Sequence, residues 1–257
     1  MGKLFNYIMV NPQLIVEEKY FEPLKRVNFL QKLSQDEPLE NYFELTFSHK
    51  KAYREIKAFR IERKEVFLKK YLKNFKEAYQ EWQNINLLWK KNFPTSIPVL
   101  FFKNPSFVII GTEKVKGHSF IDCLKLKPQK NPMLIEKIAQ FLAQFHKEKF
   151  IHQDCYLNHF YWEEGEERLY IIDVPRVKYR PICFWYYQLK DLSQLRYSFY
   201  KYLGEIWKDL WELFLEKYQQ EFGNTLSPLQ HSLIKIKFYK IKKHTQKREK
   251  EKVNLNL

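Results

Sequence analysis

His152-Gln153-Asp154-Cys155-Tyr156-Leu157-Asn158-His159-Phe160, closed by Leu169-Tyr170-Ile171-Ile172-Asp173, is the stretch whose reading decides the fold. It places two carboxylates, Asp154 and Asp173, nineteen residues apart. Between them Phe160-Tyr161-Trp162 and Leu169 to Ile172 read as short strands, joined by the polar turn Glu163-Glu164-Gly165-Glu166-Glu167, hence a β-hairpin. Asp173 follows directly on an apolar strand, a position from which a carboxylate can project into a cleft. Kinase-type phosphoryl transfer asks for that pattern: one Asp orients and deprotonates an attacking hydroxyl, and a second holds Mg²⁺ on the nucleotide phosphates.

Upstream of the hairpin, Tyr42 to Phe47 and Tyr53 to Ile61 alternate apolar and polar residues. The charged turn Glu62-Arg63-Lys64-Glu65 and the strand Val66-Phe67-Leu68 then complete an antiparallel meander ending at Lys69. A helix is predicted from about Asn74 to Lys90, with Ala78, Trp82, Ile85 and Leu88 or Trp89 on one face. Strands follow at Val99–Phe102 and Ser106–Glu113, and Gly117 marks a break. A short helix near Ser119–Leu124 and a longer one from Pro132 to Lys149 lead into the 152–173 segment; residues 187–221 are again helical.

This order predicts an α+β chain with the plan of a two-lobed kinase. Residues 1–115 form a small antiparallel sheet lobe with one helix, and residues 116–257 a larger, mainly helical lobe with a basic tail from about residue 235. Residues 1–41 are an extension in which only a helix at Glu22–Gln35 is suggested.

Three roles in the chemistry have candidates. Lys69, ending an apolar strand like the V-A-I-K pattern, is the cation for the nucleotide phosphates; Lys70 points to the opposite face of the strand. Its carboxylate partner is Glu81 on the following helix, with Glu77 as competitor. Asp154, two residues after His152, is the base. Asp173 is the metal ligand. An Asn that holds a second metal in many kinases would stand at position 159, where this chain has His159; imidazole is a poorer Mg²⁺ ligand than oxygen, so His159 either binds metal or orders the loop.

The 257 residues carry a formal net charge of +15, with 45% hydrophobic and 18% aromatic residues. Such a composition excludes general disorder. The charge points to an anionic partner, although a chain rich in Lys, Phe, Tyr, Ile and Asn reaches it by composition alone. Six glycines leave any phosphate cradle to non-Gly backbone and to Lys or Arg. Cys123, Cys155 and Cys183 form no CxxC pair and fit a reducing compartment. The first ten residues lack a signal-peptide pattern and no apolar run is long enough to span a bilayer, so a cytoplasmic, at most peripheral, protein is expected.

The loop His152 to Phe160, the run Ile171-Ile172-Asp173-Val174-Pro175-Arg176-Val177 and the helix Lys190-Asp191-Leu192-Ser193-Gln194-Leu195 together resemble the bacterial lipopolysaccharide core kinases. These are the heptose kinases and, more distantly, the Kdo kinases. In them the loop reads like H-x-D-x-Y-x-x-H-F, which accounts for His159, and the second run like I-D-L-x-R, matched by Arg176. The likeness covers about residues 50–200. It implies ATP and Mg²⁺ as cofactors, with the adenine near Glu113 to Val115, Lys69 and Glu81 positioning phosphates, Asp154 as base beside His152, and Asp173 as metal ligand. It also implies the lipopolysaccharide inner core as substrate, on the cytoplasmic face of the inner membrane; no nucleic-acid partner is expected, since no recognition module accompanies the basic charge. A Kdo kinase, another small-molecule phosphotransferase and a glycolipid-binding pseudokinase are the alternatives. The tail Lys235 to Lys243 interleaves cations with apolar and aromatic residues, as an interfacial or a solvated terminal helix would.

Overall fold

The computed structural model describes residues 5–35, 37–61 and 63–255. Met1–Leu4, at the start of the segment read for a leader, and Glu62, in the charged turn, lie outside them. The chain divides into two compact units, Met1–Lys116 with Tyr170–Pro175, and Gly117–Leu169 with Arg176–Leu257.

The first unit is built, among the described residues, on a seven-stranded antiparallel sheet. The meander is β3 (Glu44–Lys51), β4 (Arg54–Ile61) and β5 (Lys64–Tyr71). Strands β6 (Ile97–Lys103) and β7 (Val108–Glu113) continue the sheet, and the N-terminal segment supplies β1 (Tyr7–Asn11) and β2 (Leu14–Glu17). The order is β1-β2-β6-β7-β5-β4-β3. Leu14, Ile15 and Val16 pair with Phe102, Phe101 and Leu100, so the unread N-terminus covers what would otherwise be an open sheet edge.

Both faces of this sheet are covered. Helix α3 (Phe75–Lys90) lies on one, where Tyr79 and Trp82 meet the ring of Phe101. The other carries α1 (Glu18–Arg26) and α2 (Phe29–Ser34), whose Tyr20, Leu24, Phe29 and Leu33 pack into a core with Leu68, Leu100 and Phe102. The single helix suggested at Glu22–Gln35 is thus two, α1 and α2, beside the expected α3. Their shortness explains why periodicity does not separate α1 from α2: the first has nine residues with Pro23 inside it, the second six, and Asn28 at φ +56° turns the chain between them. Gly111 sits where a Cβ would come within 2.7 Å of Leu100 Cγ, so only glycine allows β6 and β7 to pair beneath that leucine.

The second unit contains α4 (Phe120–Leu126), α5 (Asn131–Lys147), α6 (Phe184–Tyr202), α7 (Trp207–Phe222) and α8 (Pro228–Leu255). The buried stripe of α5, including Leu134, Ile138, Leu142 and Phe145, follows the predicted 3.6-residue period. Short strands β8 (His118–Ser119) and β9 (Phe150–Ile151) precede β10 (Phe160–Glu163) and β11 (Arg168–Ile171), the expected hairpin; β12 (Lys178–Tyr179) pairs back on β9. Gly117 has φ +86°, and a Cβ there would fall 2.1 Å from the Trp162 carbonyl oxygen, which explains the glycine at the break. The basic tail is one helix, α8, fastened by buried Ile234 and Phe238, the latter stacked on Trp207 at 6.0 Å. Among the described residues no helix is long and apolar enough to cross a membrane.

Candidate active site

In the first unit the period-2 alternation of β5 turns Lys69 and Tyr71 to the same face, toward α3. Glu81 on α3 meets both: Lys69 Nζ donates to Oε1 at 2.5 Å and the Tyr71 hydroxyl to Oε2 at 2.5 Å. Glu77 instead accepts from Asn74 in the first turn of its own helix, so Glu81 is the partner. Arg54, opposite Tyr71 in the β4–β5 register, donates to that hydroxyl at 3.3 Å.

Asp173 joins this cluster from a distant part of the chain. Its Oδ1 lies 3.3 Å from Lys69 Nζ and 3.7 Å from Arg54 Nη1. The segment carrying it is tied down on both sides. Ile171 N–H donates to Pro94 O at 3.0 Å, and Asn84 of α3 donates to Val174 O at 2.7 Å. Asp173 itself has φ +56°, a left-handed conformation costing about 1–2 kcal/mol that only such anchoring sustains.

Two cations and two carboxylates therefore share one largely buried site. Burial alone would lower the Lys69 pKa, but the Glu81 and Asp173 carboxylates more than offset it and hold the ammonium above its ordinary value. Burial pushes the Tyr71 hydroxyl up, reinforced by Glu81, so it stays a neutral donor. Arg54 Nε is buried without a hydrogen-bond partner among the described residues. An orphaned guanidinium donor beside a Lys and an Asp fits an incoming phosphate and its metal. Glu113 ends β7, and its carboxylate accepts from the Tyr20 hydroxyl and lies 3.5 Å from Lys64 Nζ; Val115 stands in the loop that follows.

In the second unit Asp154 sits on a loop held by backbone hydrogen bonds. The anchors are Asp191, Gln194 and Ser198, spaced i, i+3, i+7 on one face of α6. Asp191, fully buried, accepts from His152 N–H at 2.6 Å and Gln153 N–H at 2.8 Å. Gln194 accepts from Cys155 N–H at 3.1 Å and donates to Gln153 O at 2.9 Å; Ser198 Oγ accepts from Leu157 N–H at 3.0 Å. Gln153, at φ +65°, thus has its N–H, its carbonyl and its side chain (on Arg176 O, 2.8 Å) all engaged. The strain next to Asp154 is over-determined by these bonds.

His152 is buried against the ring of His159 at 5.7 Å, and its Nδ1 faces Asp154 N at 3.3 Å. His159 Nδ1 bonds to Asp154 O at 2.8 Å, so one ring nitrogen orders the loop. Arg176 Nη1 lies 3.2 Å from Asp154 Oδ2.

Three contributors were missed by sequence reasoning. Arg54 gave no signal in a chain with 45 Lys and Arg. Tyr71 stands two residues past Lys69, and the strand alternation that puts it on the same face was its usable sign. Asp191 was noted only as part of a resembling helix; a carboxylate flanked by Leu189, Leu192 and Leu195 on an amphipathic pattern was the usable sign. No cluster of three or more His, Cys, Asp or Glu that could hold a metal occurs among the described residues, so any metal would take ligands from the nucleotide and water as well.

Comparison with known proteins fits this geometry. Residues 40–218 match the family described as lipopolysaccharide kinase (Kdo/WaaP). The lipopolysaccharide core heptose(I) kinase WaaP of Pseudomonas aeruginosa is 26% identical over 145 residues, covering 47% of this chain and 52% of that protein. The chain thus spans about half the length of that curated relative. A solved structure of WaaP in complex with acyl carrier protein superposes with a TM-score of 0.62 at 20% identity, over 90% of this chain and 98% of that one. An aminoglycoside-3'-phosphotransferase of type VIII superposes with a TM-score of 0.54 at 12% identity, over 84% and 98%. Both likenesses establish the expected two-part kinase-like fold.

Proposed function

The chain belongs to the lipopolysaccharide kinase (Kdo/WaaP) family, and on that premise we propose that it transfers the γ-phosphoryl group of ATP to a sugar hydroxyl of the lipopolysaccharide inner core, with a heptose as acceptor. The observation that carries this reading is the Lys69–Glu81–Asp173 cluster, assembled from β5, α3 and the segment after β11. A strand lysine paired to a helix carboxylate beside a strained aspartate is what nucleotide phosphates and their metal require.

Lys69, oriented by Glu81, neutralises phosphate charge, and Arg54 supplies a second set of donors from its unpaired Nε. Asp173 would hold Mg²⁺, which when bound offsets charge on the transferring group. Asp154 accepts the acceptor proton as the new O–P bond forms and the bond to ADP breaks. Arg176, 3.2 Å from Oδ2, aims the carboxylate, and His152 and His159 hold the loop that presents it. The adenine is assigned to the backbone around Glu113 to Val115.

The acceptor is a glycolipid, and the second unit has a surface suited to a membrane. Tyr179, Ile182, Trp185 and Tyr186 are exposed in one run, Ile182 at 81% and Trp185 at 52%, with Lys237 stacked over Tyr186 at 4.0 Å. Aromatic side chains flanked by cations settle at anionic interfaces. This supports peripheral attachment to the cytoplasmic face of the inner membrane.

The family description spans Kdo and heptose kinases, so the deciding assay offers both acceptors. Radiolabelled Mg-ATP is incubated with heptose- and Kdo-terminated core acceptors, with and without acyl carrier protein, the partner in the WaaP structure. Label entering the heptose acceptor is the expected result. Label entering the Kdo acceptor alone overturns the heptose assignment, and no label in either overturns the kinase reading.

A further inference from the structure

A cavity of about 700 Å³ opens beside Asp154 within the second unit, and its walls are basic. One wall is α6 with Lys190 and Lys201; the other is α8, whose Lys240, His244 and Arg248 recur at i, i+4, i+8 along one row. Five Lys and Arg line it against two carboxylates, Asp154 and Glu249. Two of the cations are committed: Arg176 to Asp154 at 3.2 Å and Lys201 to Glu249 at 3.3 Å. Lys190, Lys240 and Arg248 have no ion-pair partner among the described residues.

Like charges gathered around a concavity repel one another, a cost that an anion seated between them removes. The α8 row is held in place, because buried Phe238 stacks on Trp207 and meets Tyr200 edge-on. The cations that would serve ATP, Lys69 and Arg54, belong to the other unit and are a separate set. What shares the basic cavity is the proposed base, and hence the acceptor hydroxyl.

We infer that Lys190 with the Lys240 and Arg248 row of α8 forms a specificity subsite for an anionic substituent, phosphate or carboxylate, carried by the acceptor close to the hydroxyl that is phosphorylated. The inference rests on the kinase reading above and adds to it the residues of this chain that would recognise the acceptor's charge.

The test uses the full chain and three heptosides with a neutral, a carboxylate-bearing or a phosphate-bearing aglycone. Both binding by calorimetry and transfer from ATP are measured. The wild type is expected to bind at least one charged glycoside about tenfold or more tightly than the neutral one, the difference shrinking as salt rises; which of the two is preferred identifies the anion. In Lys240→Gln/Arg248→Gln that preference collapses, while the KM for ATP and transfer to the neutral heptoside stay unchanged. Lys240→Arg/Arg248→Lys, which keeps both charges, restores it, and an unchanged thermal midpoint shows that α8 remains docked. Equal binding of neutral and charged glycosides by the wild type overturns the subsite, as does an equal loss on all three in the Gln variant. A wild type that binds charged glycosides selectively but transfers phosphate to none leaves the subsite standing and removes the kinase reading instead.

Discussion

The two carboxylates central to this protein are held in place by opposite means. The Asp173 carboxylate, on a segment anchored at Ile171 and Val174, is held by charge: Lys69 and Arg54 meet it from β5 and β4, and Glu81 on α3 fixes the lysine. Asp154 is positioned by main chain: its loop hangs from Asp191, Gln194 and Ser198 of one helix, and its own side chain reaches Arg176. The difference teaches where each site is fragile. An ion cluster loses function in steps as its charges are removed, whereas a backbone-anchored loop collapses when its buried acceptor goes.

Asp191→Ala should therefore show the largest effect. It strands the buried His152 N–H and the part-buried Gln153 N–H, which now donate to a carboxylate, a loss of about 2–5 kcal/mol, read as a drop in urea midpoint together with loss of transfer. A variant of wild-type stability would show that α6 does not hold the loop. Asp154→Asn comes next and acts on chemistry alone: transfer falls by about 10³-fold, with ATP affinity and thermal midpoint unchanged. Retained transfer would remove Asp154 from the base role.

Glu81→Gln keeps the Tyr71 hydrogen bond but leaves Lys69 with Asp173 alone. A loss of about 2–3 kcal/mol in stability is expected, with weaker ATP binding in a calorimetric titration. Arg54→Lys preserves charge but not the fork of donors, and should raise the KM for ATP about tenfold with stability changed by about 1 kcal/mol. An unchanged KM would place Arg54 outside the nucleotide site.

The smallest expected effect is a flat line. Lys69 has a raised pKa, so its stabilising contribution is complete below its unfolded value of about 10.4 and is lost only as pH rises through the still higher folded value. The stability difference between wild type and Lys69→Met should then be constant from about pH 6 to 9. A slope within that range would mean that the carboxylates do not outweigh burial.

How much of this was legible beforehand depends on the range of each interaction. The β3–β5 meander, α3, α5 and the hairpin follow from periods of two and 3.6 read over ten or so residues; Lys69 and Asp173 are read from apolar strands that lead into them, Asp154 from its spacing to His152, and Glu81 from the helix after Lys69. The N-terminal strands escaped because β1 is an edge strand with no fully buried residue, so its pattern is weak. Arg54 and Asp191 escaped because their meaning lies in partners far along the chain, His152 and Gln153 for one, Tyr71 and Asp173 for the other.

By itself, the order of residues determined the local elements and which side chains could do chemistry, since backbone sterics and hydrophobic period act between near neighbours. Only the tertiary structure decided that residues 170–175 return to the sheet unit, that Glu81 and not Glu77 meets Lys69, and that the basic tail folds as α8 against α6 to wall a cavity beside Asp154. Those outcomes depend on packing between segments tens of residues apart, and no local propensity encodes them.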